Sequence, residues 1–189
     1  MMIRFIFTSI ALSSVVLTAG VAEVSANAES PISAKKSSSL VPLPAASMTN
    51  PIYIAQSTTS PASLEQAVHT QVNQYRGSLG LPPLALDSRI SNQARTHSQN
   101  MANGVVPFSH NGFQARIQAI AKVITLSAAA ENVAYNQGYK DPATQAIQGW
   151  LKSTGHLSNI KGNYNLTGIG IAKNSQGKYY FTQIFIRSN

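Results

Sequence analysis

The sequence predicts an α+β domain in which helices cover a small antiparallel sheet. Apolar residues recur at intervals of three and four between residues 64 and 151, as on the buried face of a helix. The period changes to two after residue 166, which is typical of a strand hairpin. Of the 189 residues, 43% are hydrophobic, enough to bury a core of ordinary size. We therefore expect helices and sheet to be stacked in layers.

The first two helices are predicted from their caps and apolar stripes. Ser63 and Gln66 form a capping-box pattern, and we expect this helix to end at Gly80 and the prolines that follow. Asp87 is the predicted cap of the second helix, which ends before Gly104. The expected buried residues are Leu64, Val68, Val72, Tyr75 and Leu79 in the first helix, and Ile90, Ala94, His97 and Met101 in the second.

Three shorter features follow. A third helix is predicted at residues 113–121, and a small turn begins near Glu131. Asp141, followed by a proline, is typical of a helix start. This last helix carries Trp150 on its apolar stripe and is expected to end at Gly155, so that the next residue lies in a loop.

The C-terminal part is predicted to form a hairpin. Residues 166–173 alternate in character, residues 174–177 form a turn, and residues 179–187 are rich in aromatic and β-branched side chains. Gly168 and Gly170 lie on one side of the first strand. We expect them to let another layer approach the sheet closely.

The N-terminus has the pattern of an export signal. Arg4 precedes the apolar run 5–22, and residues 26–28 read Ala-Asn-Ala, a small-residue cleavage site. Residues 1–28 are therefore predicted to be a signal peptide that is removed. The alternative is an uncleaved membrane anchor, since about 18 apolar residues can just span a bilayer.

Composition and charge limit the remaining possibilities. Residues 29–63 are rich in Ser, Ala and Pro and are predicted to form a disordered linker before a domain at 64–189. The formal charge of +8 is spread along the chain, which favours contact with an anionic polymer or a membrane face over nucleic acid. The chain has no cysteine, which excludes disulfides, thiolate zinc sites and cysteine nucleophiles.

Three polar residues could carry chemistry. His110 lies in a glycine-containing loop, Glu131 begins a predicted turn, and His156 follows Gly155. Two imidazoles with a carboxylate nearby can hold zinc and leave coordination positions for water. Loop histidines are also common as simple hydrogen-bonding residues, and their spacing does not decide between these interpretations. The sequence has no H-E-x-x-H motif, which excludes a standard zincin.

Residues 64–189 resemble the CAP superfamily of cysteine-rich secretory proteins, antigen-five allergens and plant pathogenesis-related proteins, and are similar to its compact, cysteine-free bacterial branch. The matching stretches are residues 72–76, 81–84, 94–98, 109–110 with Arg116, 131–134, 150–153, 155–156 and 168–170. The resemblance implies an α-β-α sandwich with a cleft lined by two His and two Glu. His110, Glu131 and His156 match three of these, whereas Ser153 replaces the second Glu of eukaryotic members.

Two functions follow from the sequence and the resemblance. The first is a secreted or periplasmic module that binds a small-molecule, peptide or anionic envelope ligand, with His110 and His156 able to hold zinc. It would bind no nucleic acid and have no stable membrane span after signal cleavage. The second is a metal-assisted hydrolase or peptidase in which Glu131 is the catalytic base. A Glu131 that orients an imidazole would instead support the metal indirectly.

Overall fold

The computed structural model describes residues 60–189, so the predicted signal peptide and residues 29–59 of the predicted linker lie outside the described residues. Within that range, no helix has the length and apolar character needed to cross a membrane. The elements are α1 (Pro61–Ser78), β1 (Ala85–Leu86), α2 (Ser88–Ala102), α3 (Phe113–Ala121), β2 (Leu126–Asn136), α4 (Pro142–Lys152), α5 (Thr154–Lys161), β3 (Leu166–Lys173) and β4 (Tyr179–Ser188).

The elements form the predicted three-layer α-β-α sandwich. The four strands have the order β1-β3-β4-β2. One hydrophobic cluster joins α1, α4 and α5 to one face of the sheet, and a second joins α2 and α3 to the other face. The sheet is mixed rather than wholly antiparallel, because β1 pairs with β3 in parallel. A strand of two residues leaves no periodic pattern, so the sequence did not reveal it.

The predicted start of the first helix is wrong by three residues. Ser60, rather than Ser63, is the N-cap, and its hydroxyl accepts a hydrogen bond from the Ser63 backbone N–H at 3.1 Å. Pro61 occupies the first turn, where its missing N–H has no consequence. Residues 61–63, assigned from sequence to the linker, are therefore helical. Leu79 caps the other end and is exposed rather than buried.

The other predicted caps and the hairpin are confirmed. Asp87 accepts from the backbone N–H groups of the next turn and begins α2. Asp141 does the same for α4 through the N–H of Thr144 at 3.0 Å. The bounds of α3 and β3 agree with the prediction, and β4 extends one residue further than predicted.

Two predictions near the candidate site are wrong. Glu131 lies in the middle of the long strand β2 rather than at a turn. The segment is rich in alanine, a weak strand former, and it is extended because it pairs with β4 along its length. His156 lies inside helix α5 rather than in a loop, because Ser153 takes an extended conformation that ends α4 and begins α5.

A buried arginine fixes the layer that carries α5. The Arg76 guanidinium, 1% exposed, donates to the backbone carbonyls of Ile160 at 2.8 Å and Gly162 at 2.9 Å, and to that of Pro82 at 3.0 Å. These bonds join the end of α1 to the end of α5. Arg76 therefore braces the core.

The close approach of α2 to β3 depends on glycine, as predicted. A Cβ on Gly170 would overlap the backbone of Ala94 and Arg95, and one on Gly168 would overlap the backbone at Ile90 and Ser91. The backbone of α2 cannot move away without opening the core behind it.

We expect Gly170→Ala to lower the free energy of unfolding by about 3 kcal/mol or more, because the added methyl overlaps backbone atoms. Gly149→Ala in α4 is the matched control, since its Cβ would meet nothing within 4 Å. The control should be neutral or stabilising by up to about 1 kcal/mol. Urea denaturation of both variants measures the difference, and equal stabilities would contradict the close packing.

Candidate functional site

The two candidate histidines meet beside β2, an edge strand of the sheet. His110 comes from the loop before α3, and His156 comes from α5, which belongs to the opposite layer. Their ring centroids are 6.2 Å apart, and the rings are tilted by 39°. The structure therefore brings together two residues that are 46 positions apart in the sequence.

Glu131 is enclosed by hydrogen-bond donors. Its side chain is 0% exposed. Arg116 donates from Nε to Oε2 at 2.8 Å and from Nη2 to Oε1 at 2.7 Å. His110 Nδ1 lies 3.0 Å from the same Oε1. The bidentate guanidinium pair is a strong and specific geometry for a carboxylate, so Glu131 is held as a charged acceptor.

This arrangement determines the tautomer of His110. A carboxylate paired with a guanidinium can only accept, so Nδ1 of His110 donates the proton. The lone pair of a neutral His110 is then on Nε2. Carboxylates orient metal-binding imidazoles in the same way.

Arg116 also holds the loop that carries His110. Its Nη1 donates to the carbonyl of Asn111 at 2.9 Å. Gly112, the N-cap of α3, has φ of 79°, a conformation that favours glycine. His97, a buried residue of α2, donates from Nε2 to the carbonyl of Ser109 at 2.8 Å. Burial and the charge of Arg116 lower the pKa of His97, so it supports the loop as a neutral residue.

Two asparagines fix α5 against β2. Asn132 donates from Nδ2 to the backbone carbonyl of His156 at 3.2 Å. Asn159 donates to the backbone carbonyl of Glu131 at 3.2 Å and to Oδ1 of Asn132 at 2.9 Å. The backbone that presents each imidazole is therefore held by hydrogen bonds.

The His156 ring is neutral over most of the accessible pH range. Burial, followed by the proximity of His110, lowers its pKa to about 4. No hydrogen bond of its ring is found within the described residues. A neutral imidazole has a free nitrogen lone pair, so His156 can bind a metal or accept a hydrogen bond from a ligand.

Ser153 lies one helical turn before His156. It is 8% exposed and occupies the junction of α4 and α5. Among residues 60–189, no three His, Cys, Asp or Glu side chains are grouped so that they could hold a metal ion. The chain therefore brings two imidazoles close together, and a metal there would complete its coordination with water or ligand atoms.

The sequence did not reveal how the site is held. Arg116 was part of the family pattern, but nothing in its spacing pointed to a pair with Glu131. Asn132 was likewise part of the family pattern without a predicted partner, and Asn159 carried no signal, since asparagine is common at turns and caps. A separate groove of about 720 Å³ between α1, α2 and β3 contains none of the predicted site residues.

Comparison with known proteins identifies relatives over the same part of the chain. The family model for CAP, the cysteine-rich secretory protein family, matches residues 69–185. The protein YkwD of Bacillus subtilis is 33% identical over 135 residues, which cover 68% of this chain and 50% of that protein. The chain thus spans about half the length of this curated relative.

Two solved structures are similar to the chain. An extracellular protein containing an SCP domain from Bacillus anthracis is 29% identical with a TM-score of 0.57, over 67% of this chain and 41% of that one. An outer surface protein of Borrelia burgdorferi is 16% identical with a TM-score of 0.58, over 67% and 93%. The second likeness concerns the fold alone.

The low pKa of His156 predicts a pH-dependent stability. In the unfolded chain this imidazole titrates near its ordinary pKa of about 6.5, whereas in the fold it takes up a proton only near pH 4. Between these values the unfolded state binds more protons, so stability falls as the pH falls. Because the ring is partly exposed, we expect a loss of about 1–2 kcal/mol.

Urea denaturation at pH 7.5 and 4.5 with a chelator present measures this loss. His156→Gln should lose less stability over that interval, because it removes the titrating group. His97 titrates in the same direction and stays in both proteins, so the comparison isolates His156. Equal losses in the two proteins would contradict the assignment.

Proposed function

The chain belongs to the CAP, or cysteine-rich secretory protein, family, and from this premise we propose that it is an exported module that binds an envelope ligand in the cleft between His110 and His156. One observation carries the proposal. The only carboxylate at the cleft among the described residues, Glu131, is fully enclosed and already accepts from Arg116 and His110. The cleft therefore offers imidazoles to a ligand but no free carboxylate.

Two observations support export. The N-terminal sequence has a charged start, an apolar run and a small-residue cleavage pattern. The Bacillus anthracis relative, at 29% identity, is an extracellular protein. We therefore propose that the mature protein is secreted or periplasmic and meets its ligand at the cell envelope.

The alternative, a metal-assisted hydrolase, needs Glu131 to take a proton from water. A general base must lie within hydrogen-bond reach of that proton and have a free acceptor. Glu131 would first have to leave its guanidinium partner in a buried site, which is costly. Ser153 offers no carboxylate as a replacement. The geometry thus favours a Glu131 that positions His110 over one that reacts.

The donor set of the cleft fits a divalent metal such as zinc. The free nitrogen of His110 and the neutral ring of His156 are suitable zinc ligands. Two imidazoles on one tetrahedral zinc have centroids about 5 Å apart, whereas these lie at 6.2 Å. A small side-chain movement would bring both nitrogens to one ion. Such an ion would supply a Lewis-acidic contact for an oxygen atom of the ligand.

We expect zinc to bind the purified full-length protein at pH 7.5, and His110→Ala/His156→Ala to weaken that binding at least tenfold. Calorimetric titration measures both affinities. His69→Ala is the matched control, because it removes a half-buried histidine of α1 that hydrogen-bonds to the carbonyl of Leu84 instead of facing the cleft. Zinc binding that persists in the double variant would contradict the metal site.

Binding and hydrolysis are separated by Glu131→Gln. For a binding module, we expect saturable retention of the wild type on isolated envelope material without product formation. The amide of the variant keeps an oxygen that can accept from His110, but Arg116 loses its carboxylate partner, so the melting temperature should fall. Where the variant is still folded, retention should change by less than about threefold. A hydrolase would release product and lose that activity in the variant. Sedimentation of the complex and mass spectrometry of the supernatant measure the two outcomes, with thermal melting to verify folding.

Product that is released by the wild type and lost in Glu131→Gln would overturn the binding proposal. So would the absence of any retention by the wild type.

A further inference from the structure

A second feature lies at the C-terminal end of β2. Tyr135 of β2 is paired directly with Tyr180 of β4, and their ring centroids are 6.1 Å apart. Phe108, from the loop before α3, packs edge-on against Tyr135, with the two ring centroids 4.8 Å apart. Nζ of Lys178 lies 5.0 Å from the Tyr135 centroid. We call these four residues the aromatic face.

The aromatic face is not part of the core. None of its three rings belongs to either hydrophobic cluster, and all four side chains are half-buried. A cross-strand tyrosine pair by itself is an ordinary way to stabilise a hairpin. Phe108 comes from outside the sheet, however, and adds a third half-buried ring beside the tyrosine pair. Partly accessible tyrosine rings, with an apolar body and a polar tip, are common at binding interfaces.

The charge around the face favours an anionic ligand. Residues 60–189 contain eleven Lys and Arg but only four Asp and Glu, and all four acids are engaged. The engagements are Glu65 with Arg95, Asp87 with Arg89, Glu131 with Arg116, and Asp141 with the N-terminus of α4 and Thr144. Lys178 therefore has no carboxylate partner among the described residues. Its ammonium group is available to pair with an anionic group of a ligand.

The aromatic face continues the cleft. Phe108 precedes His110 by two residues in the same loop. Tyr135 is on the same face of β2 as Glu131, four residues away, which is about 13 Å along a strand. An elongated ligand could therefore contact the rings and the imidazoles together, as successive units of one chain.

We propose that the aromatic face is a subsite for an anionic sugar polymer. A sugar ring has an apolar C–H face that suits an aromatic ring, and hydroxyl groups that suit the polar tips of tyrosines. A carboxylate or phosphate on the polymer would pair with Lys178, whose ammonium carries three donors. The inference rests on the proposed envelope-binding function but uses residues outside the histidine cleft.

Equilibrium binding to immobilised polymers tests this subsite. The probes are polygalacturonate, which is carboxylated, phosphomannan, which is phosphorylated, and neutral dextran. We expect the full-length protein to bind at least one anionic polymer and to bind dextran at least tenfold more weakly. The preferred anionic probe identifies the charged group that the subsite takes.

Charge and ring contributions are tested by separate variants. Lys178→Glu should weaken binding about tenfold, whereas Lys122→Glu, which makes the same charge change before the first residue of β2, should weaken it less than about twofold. Tyr180→Ala should weaken binding about fivefold and Tyr180→Phe by much less, because the ring is retained. Thermal melting verifies that each variant is folded.

Several outcomes would overturn the subsite. One is that Lys178→Glu and Lys122→Glu lose equal binding affinity, and another is that Tyr180→Ala loses none. A third is that the wild type binds neither anionic polymer. The fourth is that it binds single-stranded poly(dT) more tightly, with the same sensitivity to the variants. The last result would indicate a nucleic-acid surface instead.

Failure of the subsite is distinguishable from failure of the proposed function. If the wild type is retained on envelope material but the Lys178 and Tyr180 variants are retained equally well, only the subsite is wrong. If the wild type is not retained on that material at all, the proposed function fails as well.

Discussion

The bidentate pair between Arg116 and Glu131 joins helix α3 to the edge strand β2 and fixes the loop that carries His110. Both side chains are nearly or fully enclosed, with exposed fractions of 9% and 0%. Neither charge would be tolerated there alone, since breaking a buried pair costs about 3–5 kcal/mol. The pair is therefore a structural requirement, and its consequence for chemistry is that His110 is held in one tautomer and one orientation.

A carboxylate–arginine pair also covers the opposite edge of the sheet. β1 covers only the first two residues of β3, and beyond them the edge is covered by side chains. Glu65 pairs with Arg95 through Nη2 at 2.6 Å and also accepts from the backbone N–H of Ile171 at 3.2 Å. At the β2 edge, Trp150 donates to the carbonyl of Val133 at 3.0 Å. Exposed strand edges invite pairing with other chains, so both edges are occupied by side-chain hydrogen bonds.

Local chemistry decided which parts of the fold could be predicted. The side chains of Asp87 and Asp141 cap their helices by accepting from backbone N–H groups only two or three residues later. Such local signals are visible in the sequence. β2 and α5 were missed because their conformation depends on distant partners, β4 for the strand and the extended Ser153 for the helix. His110, Glu131 and His156 were identified as candidates from their residue types, and the family resemblance implied that they line one cleft. The roles of Arg116, Asn132 and Asn159 are long-range and left no local pattern.

The few acidic residues are all used to hold the fold together, and this determines the charge of the surface. With only four acids in residues 60–189, three committed to arginine pairs and one to a helix cap, the structure leaves no carboxylate side chain to neutralise the surface lysines. Ser153, one turn before His156, likewise supplies no carboxylate that would stabilise the charged form of this imidazole. Its imidazole thus stays neutral down to about pH 4. A positive surface beside the two imidazoles is suited to holding an anionic ligand.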